Sequence, residues 1–235
     1  MAVTAVIAAA GSGERLGAGG PKAFVPLGGR PMIEWSLEAF RACDSVQVVV
    51  VAAPPGLECG LGDEVRVLDG GATRAESVAN ALAVVETEVV AIHDAARPLV
   101  TAALVEALVG ALVGSPAAAA VIPAAPVTDT VKRTAPADRA RTAFGAEEPP
   151  NAVLVVEGTE DRSTLWAAQT PQVFRTTALR EALAVDVVSR DAATDEAMLV
   201  EAAGGKVLIH PSGPENLKVT TPRDLRLAEL LLASR

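Results

Sequence analysis

Strand-like apolar runs alternate with helix-like segments along this chain, and that alternation restricts its fold more than any other feature. Apolar β-type runs fall at Val3–Ala8, Val46–Ala52, Val65–Leu68, Val89–Ile92 and Ala119–Pro123. Helical patterns lie between them at Pro31–Cys43, Arg74–Val85 and Thr101–Val113, and continue at Thr176–Val188 and Asp195–Ala203. A last helix has a clear start: Thr221 as N-cap, Pro222 at the first position and Asp224 three residues after the cap. A near-continuous apolar run suits a strand covered on both faces. The expected fold is therefore α/β, a single doubly wound and mostly parallel sheet, with ligands at the carboxyl ends of the strands. A length of 235 residues suits one domain, 1–235, with a sizeable core. One excursion breaks the alternation. Residues 127–165 hold two β-type runs, Thr128–Arg133 and Ala152–Glu157, around a Pro- and charge-rich linker. This stretch reads as an extended arm projecting from the sheet, because a structureless loop of that length is unusual inside a compact domain.

The segment VTAVIAAAGSGERLGAGGPKAFVPL, Val3 to Leu27, carries the strongest chemical signal. A strand runs into a loop of Ala and Gly, which lets backbone N–H groups approach a phosphate closely. Arg15 and Lys22 can then grip a polyphosphate from two sides. Two familiar phosphate loops are excluded. A dinucleotide loop needs Gly-x-Gly-x-x-Gly; Gly11 and Gly13 fit, but Leu16 occupies the third position. The ATPase loop needs Gly-Lys before Ser or Thr, whereas Lys22 lies between Pro21 and Ala23.

Four further segments can carry chemistry. In DGGATRAESVANAL the pair Gly70-Gly71 permits a tight turn and Ser77 falls in the first turns of a helix. In AIHDAARPLV a strand ends at His93-Asp94, with Arg97 three residues on. A carboxylate there suits magnesium and phosphate, although an Asp94–Arg97 ion pair is the plainer reading. His93 is assigned to packing or hydrogen bonding rather than catalysis. Thr170-Pro171-Gln172 in LWAAQTPQVF reads as a turn. ENLKVTTP places Lys218 and Thr220 on a short expected strand before the final helix.

These motifs together, with PVTDTVK and TDEAML, occur in the order found in one family. The sequence resembles the 2-C-methyl-D-erythritol 4-phosphate (MEP) cytidylyltransferases of the non-mevalonate isoprenoid pathway, Rossmann-like nucleotidyltransferases. The resemblance implies CTP and a polyol phosphate as ligands, Mg2+ or another divalent cation as cofactor, and catalytic roles for Arg15, Lys22, Arg162 and Lys218. It implies a nucleotide site at Ala9, Ala10, Gly11, Gly13, Gly70, Gly71, Ser77 and Thr220. It implies an MEP site at Asp94, Arg97, Thr130 and Thr194, with Asp94 also a metal ligand. Thr130 and Arg162 would come from the partner subunit of a homodimer built through the arm. Two features depart from the family pattern. Ala72-Thr73 follows the glycine pair where many relatives carry an acidic residue, and the arm between Thr130 and Arg162 is longer than usual. Three alternatives stand beside this reading: a ribitol 5-phosphate cytidylyltransferase, an NAD(P)-dependent oxidoreductase, and an inactive nucleotide-binding protein.

The residue types suit such chemistry without the family name. A phosphate monoester is largely dianionic near neutral pH, its second pKa being about 6, so it needs no general base. Alignment of two repelling anions and stabilisation of α-phosphoryl charge remain for the protein. The formal net charge of −9 speaks against a nucleic-acid partner. Two cysteines, Cys43 and Cys59, are too few for a disulfide framework and suggest a reducing, cytoplasmic setting. No signal peptide is read at the N-terminus, and the Ala-rich stretch 102–127 is broken by Gly and Pro, so no membrane association is expected.

Overall fold

Five parallel strands form in chain order: β1 (Val3–Ala8), β2 (Val46–Ala53), β3 (Val65–Asp69), β4 (Val89–Asp94) and β5 (Ala120–Pro126). The computed structural model describes residues 1–11, 13, 16, 20–57, 60–136, 153–185, 190 and 192–234. Two compact units divide them, Met1–Ala124 with Ala168–Arg235, and Ala125–Ala167.

In the larger unit the helices α1 (Met32–Arg41), α2 (Arg74–Leu82) and α3 (Ala102–Val113) connect successive strands. After the arm come β8 (Gln172–Arg175), α4 (Thr176–Leu183), α5 (Glu196–Ala202), β9 (Val207–Pro211) and α6 (Pro222–Ala233). These seven strands of an eight-stranded sheet lie in the order β9-β5-β8-β4-β1-β2-β3. Strand β8 runs antiparallel to both neighbours, with Val173 opposite Ala91 and Val121. The expected mostly parallel, doubly wound sheet is thus present. Neither β8 nor β9 is visible in the sequence pattern. β8 is four residues long behind a Thr-Pro turn, and β9 is a half-buried strand that pairs along β5.

Strand alternation sends side chains to two cores. Val3, Ala5, Ile7, Val49 and Val51 pack with Ile33, Leu37 and Phe40 of α1 and Val105, Leu108 and Leu112 of α3. Val6, Val50, Val90 and Ile92 pack with Val78 and Leu82 of α2, Leu179 of α4 and Val200 of α5. Burial at roughly 25 cal/mol per Å² of apolar surface is the main term holding both layers to the sheet. Helix caps agree with the sequence: Thr221 accepts from the Asp224 N–H, and Asp224 returns a bond to the Thr221 N–H. Likewise Thr101 caps α3 and Asp195 caps α5, so these two residues precede the helices rather than join them.

Strand β4 runs two residues past the apolar run Val89–Ile92 and ends at His93-Asp94, as the motif reading expects. It pairs His93 with Ile7 and Asp94 with Ala8, so ladder pairing carries two polar residues into the buried sheet. Lys218 and Thr220 do not lie on a strand as expected. Their segment is irregular and is tied by a backbone bond, Val219 N–H to the Ala96 carbonyl at 2.8 Å, to the turn that follows β4.

In the smaller unit β6 (Lys132–Pro136) pairs antiparallel with β7 (Leu154–Thr159). Both strands begin later than the sequence runs suggest, and a bulge lies between Arg133 and Thr134. Residues 137–152, including the expected strand start Ala152, lie outside the described residues. Val153 to Val156 are exposed, Val153 by 78%.

Candidate active site

Strand order reverses between β1 and β4: β1 continues outward to β2 and β3, while β4 starts the other half. Loops leaving the carboxyl ends of such strands diverge and open a crevice. A cleft of about 450 Å³ lies there. Its walls come from Ala8–Gly11 at the end of β1, Gly71–Arg74 and Ser77 after β3, and Asp94–Ala96 at the end of β4, with Lys22, Lys218 and Thr220.

The glycines shape this cleft. Gly13 has φ +74°, a left-handed conformation that favours glycine, and a Cβ there would stand 3.0 Å from the Gly20 carbonyl oxygen. A Cβ on Gly70 would meet the Ala10 Cβ at 2.5 Å, so only glycine lets the β1 and β3 loops touch. The β3 loop is held from the first turns of α2. Ser77 Oγ accepts from the Gly71 N–H at 3.0 Å and donates to the Thr73 carbonyl at 2.9 Å. Glu76 accepts from the Ala72 N–H at 2.7 Å.

At the floor sits a charged cluster. Asp94, nine-tenths buried, accepts from Arg74 Nε at 2.8 Å on Oδ1 and lies 2.7 Å from Lys218 Nζ on Oδ2. Arg74 Nη1 donates to Glu196 Oε1 at 2.6 Å. Burial alone would raise the Asp94 pKa, but Arg74 and Lys218 outweigh it and hold the carboxyl well below the usual range. Burial lifts Glu196 against the pull of Arg74. The backbone N–H of Asp94 donates to Thr170 Oγ1 at 3.0 Å. Thr170 Oγ1 also meets His93 Nδ1 at 3.1 Å, and Ser36 Oγ meets His93 Nε2 at 3.2 Å. Burial pulls the His93 pKa down to about 3, so the ring is neutral and bridges two hydroxyls beneath the site. Its reading as a packing and hydrogen-bonding residue fits this place.

Of the residues singled out in the sequence, Ala9, Ala10, Gly11, Gly13, Gly71, Ser77, Lys22, Asp94, Lys218 and Thr220 line the one cleft, and Gly70 lies against Ala10 behind it. Arg15 lies outside the described residues. The Asp94–Arg97 pair does not form: Arg97 donates to the Asn216 carbonyl at 2.7 Å and the Ala168 carbonyl at 3.3 Å, and Asp94 takes Arg74 and Lys218 instead. Thr194 is exposed just before α5 and is not among the cleft-lining residues. Thr130 and Arg162 belong to the smaller unit, where Arg162 Nη1 donates to the Thr128 carbonyl. Sequence reasoning missed Arg74 and Glu196. Both sat inside quoted motifs, GGATRAES and TDEAML, but they are 122 residues apart and nothing local joins them.

A metal has little to hold it here. Among the described residues no group of three or more His, Cys, Asp or Glu could coordinate an ion. Asp94 is the only cleft-lining carboxylate among them, and each of its oxygens already faces a cation. Such a donor set suits Mg2+ carried in on substrate phosphates, not an ion caged by protein. No described helix is long and apolar enough to cross a membrane.

Residues 3–234 match the family model described as IspD, 2-C-methyl-D-erythritol 4-phosphate cytidylyltransferase. A bifunctional enzyme IspD/IspF of Anaeromyxobacter dehalogenans is 45% identical over 98% of this chain, which spans 57% of that relative's length. The 2-C-methyl-D-erythritol 4-phosphate cytidylyltransferase of Frankia casuarinae is 44% identical over 98% of the chain and 81% of its own. Among solved structures, the enzyme of that name from Thermus thermophilus superposes with a TM-score of 0.79 at 36% identity, covering 99% of this chain and all of the other. With one model spanning nearly every residue and the same sheet beneath it, the chain belongs to the 2-C-methyl-D-erythritol 4-phosphate cytidylyltransferase family.

Proposed function

We propose that the cleft at the β1/β4 switch point aligns CTP and MEP for in-line transfer of CMP, the step of isoprenoid precursor synthesis that defines this family. A phosphate oxygen of MEP attacks the α-phosphorus of CTP. The bond from that phosphorus to the bridging oxygen breaks, and pyrophosphate leaves with the electron pair. The observation that carries the reading is the convergence of Lys22 and Lys218 on one cleft with the Ala9-Ala10 and Gly71 backbone.

Each role follows from residue chemistry. Cytosine carries an exocyclic amine, and the tight Ala/Gly backbone of the β1 and β3 loops offers carbonyl acceptors with room for a small base. Lys22 and Lys218, with Arg15, neutralise charge that develops on the phosphoryl oxygens. Mg2+ bound to the triphosphate would supply further charge neutralisation. Asp94 cannot serve as a base, because its neighbours keep it ionised and strongly acidic. It accepts hydrogen bonds from the hydroxyls of the polyol and anchors Lys218. Arg97 fastens the segment that carries Lys218, through the Asn216 carbonyl. The family resemblance also gives Thr194 a contact with the acceptor, although here it stands exposed before α5 and outside the cleft lining.

The same reading makes the arm a dimerisation element that brings Thr130 and Arg162 to a partner's acceptor site. Supporting it, Val153 and the first residues of β7, Leu154 to Val156, are exposed, and a lone two-stranded ribbon is marginal in water. The test is pyrophosphate release from each of the four NTPs with MEP and Mg2+, with ribitol 5-phosphate as the rival acceptor. CTP with MEP should be strongly preferred, with UTP weaker and purines excluded. Equal turnover with ATP would refute the base site, and preference for ribitol 5-phosphate would reassign the acceptor.

A further inference from the structure

Arg74 stands where a phosphate receptor would be expected. It is the first residue of α2, lines the cleft with Lys22 and Lys218, and carries the planar fork that suits phosphate best. Yet two of its donors, one on each side of the fork, are turned to protein. Nε serves Asp94 and Nη1 serves Glu196, at 2.8 and 2.6 Å. Asp94 is a wall of the cleft. Glu196 is not; its side chain is only 1% exposed, whereas that of Arg74 is 29% exposed.

Glu196 is held in place from outside the cleft. It opens α5, which is capped by Asp195. Gln172 of β8 donates to Asp195 Oδ2 at 2.8 Å and accepts from the Ala197 N–H at 3.3 Å. The start of α5 is therefore tied to the sheet, and Glu196 with it. Stability does not account for this carboxylate. Its Oε2 is buried with no hydrogen-bond partner, and an apolar residue is often as good or better in place of a buried ion pair. What Glu196 accomplishes is visible in Arg74.

We infer that Glu196 is a positioning residue that holds Arg74 against Asp94 and away from the phosphate groups of the substrates. Arg74 then acts as a strut between α5 and β4, and triphosphate binding is left to Lys22, Lys218 and Arg15. Without Glu196, the guanidinium turns toward the polyphosphate, adds a contact that outlasts the reaction and retains pyrophosphate.

This inference rests on the cleft being the triphosphate site, and the test separates the two. Inorganic pyrophosphate is titrated calorimetrically into the intact wild-type, Glu196→Gln and Arg74→Gln/Glu196→Gln proteins. One additional charge-assisted contact should tighten pyrophosphate binding about tenfold in Glu196→Gln, and strengthen product inhibition equally. The double variant should return to within about twofold of wild type. A loss of packing alone would not raise affinity for an anion. A wild type that binds too weakly to detect, with binding gained in Glu196→Gln, supports the inference equally. Unchanged or weaker binding in Glu196→Gln overturns it, as does tight binding that survives removal of Arg74. Should Glu196→Gln fail to fold, Arg74→Lys replaces it, keeping the charge without a fork to span both carboxylates; tighter pyrophosphate binding supports the inference and unchanged binding overturns it. Failure of the triphosphate reading shows separately, as pyrophosphate affinity indifferent to Lys22→Ala.

Discussion

Acidification from pH 7 to pH 5 should weaken the fold through one residue, His93. The ring is fully buried, edge-on to Phe40 at 5.3 Å and between the Ser36 and Thr170 hydroxyls. Neutral imidazole has one donor and one acceptor nitrogen, so one hydroxyl donates to it and the other accepts. A charged ring has no acceptor nitrogen left for the donating hydroxyl. Burial, which disfavours the charged ring, lowers its pKa from 6.5 to about 3. The sign follows from linkage. A folded-state pKa depressed below the unfolded one means the unfolded chain takes up the proton first. His93 therefore costs nothing above 6.5, costs more as pH falls, and stops adding cost near 3. At pH 5 the unfolded ring is protonated about 30 to 1 while the folded ring stays neutral, and the stability lost relative to pH 7 is about 2 kcal/mol. Urea unfolding at pH 7 and 5, at one fixed protein concentration so that association is held constant, reads this loss. Subtracting the same pair of measurements on His93→Gln removes every other titrating group. If wild type and His93→Gln lose equal stability, within ~0.5 kcal/mol, the buried neutral bridge is not there and the argument fails.

Three further outcomes are expected. Lys22→Ala should lower kcat roughly a hundredfold or more, the scale of a lost oxyanion donor, and near-normal kcat would make the loop purely structural. Gly70→Ala should cost about 1–3 kcal/mol in chemical denaturation, because its Cβ would overlap the Ala10 Cβ, and a neutral effect would deny the close approach of the β1 and β3 loops. Co-assembled Lys22→Ala and Arg162→Ala chains, each inactive alone, should regain up to about a quarter of wild-type activity, since half of randomly mixed two-fold dimers are hybrid with one intact site of two. No recovery in demonstrated heterodimers would place Arg162 in its own subunit's site.

Local pattern determined the parts of this protein that depend on neighbours along the chain. Val3–Ala8 is a strand because its run is apolar but for Thr4, and α6 starts at Pro222 because Thr221 and Asp224 satisfy its first N–H groups. The cleft was legible for the same reason, since its walls are loops that directly follow such strands. Tertiary structure decided what depends on residues far apart. Strand β8 is held by pairing with β4 and β5 on either side, not by its own four residues. Asp94 reads in sequence as a partner of Arg97, yet Arg74 and Lys218 take it, 20 and 124 positions away, because the switch point of the sheet brings three loop ends together. The Arg74–Glu196 pair spans 122 positions and joins two ordinary helix starts. Sequence names the charges, but which one neutralises which follows from distance in a low-dielectric interior, and the fold alone sets that distance.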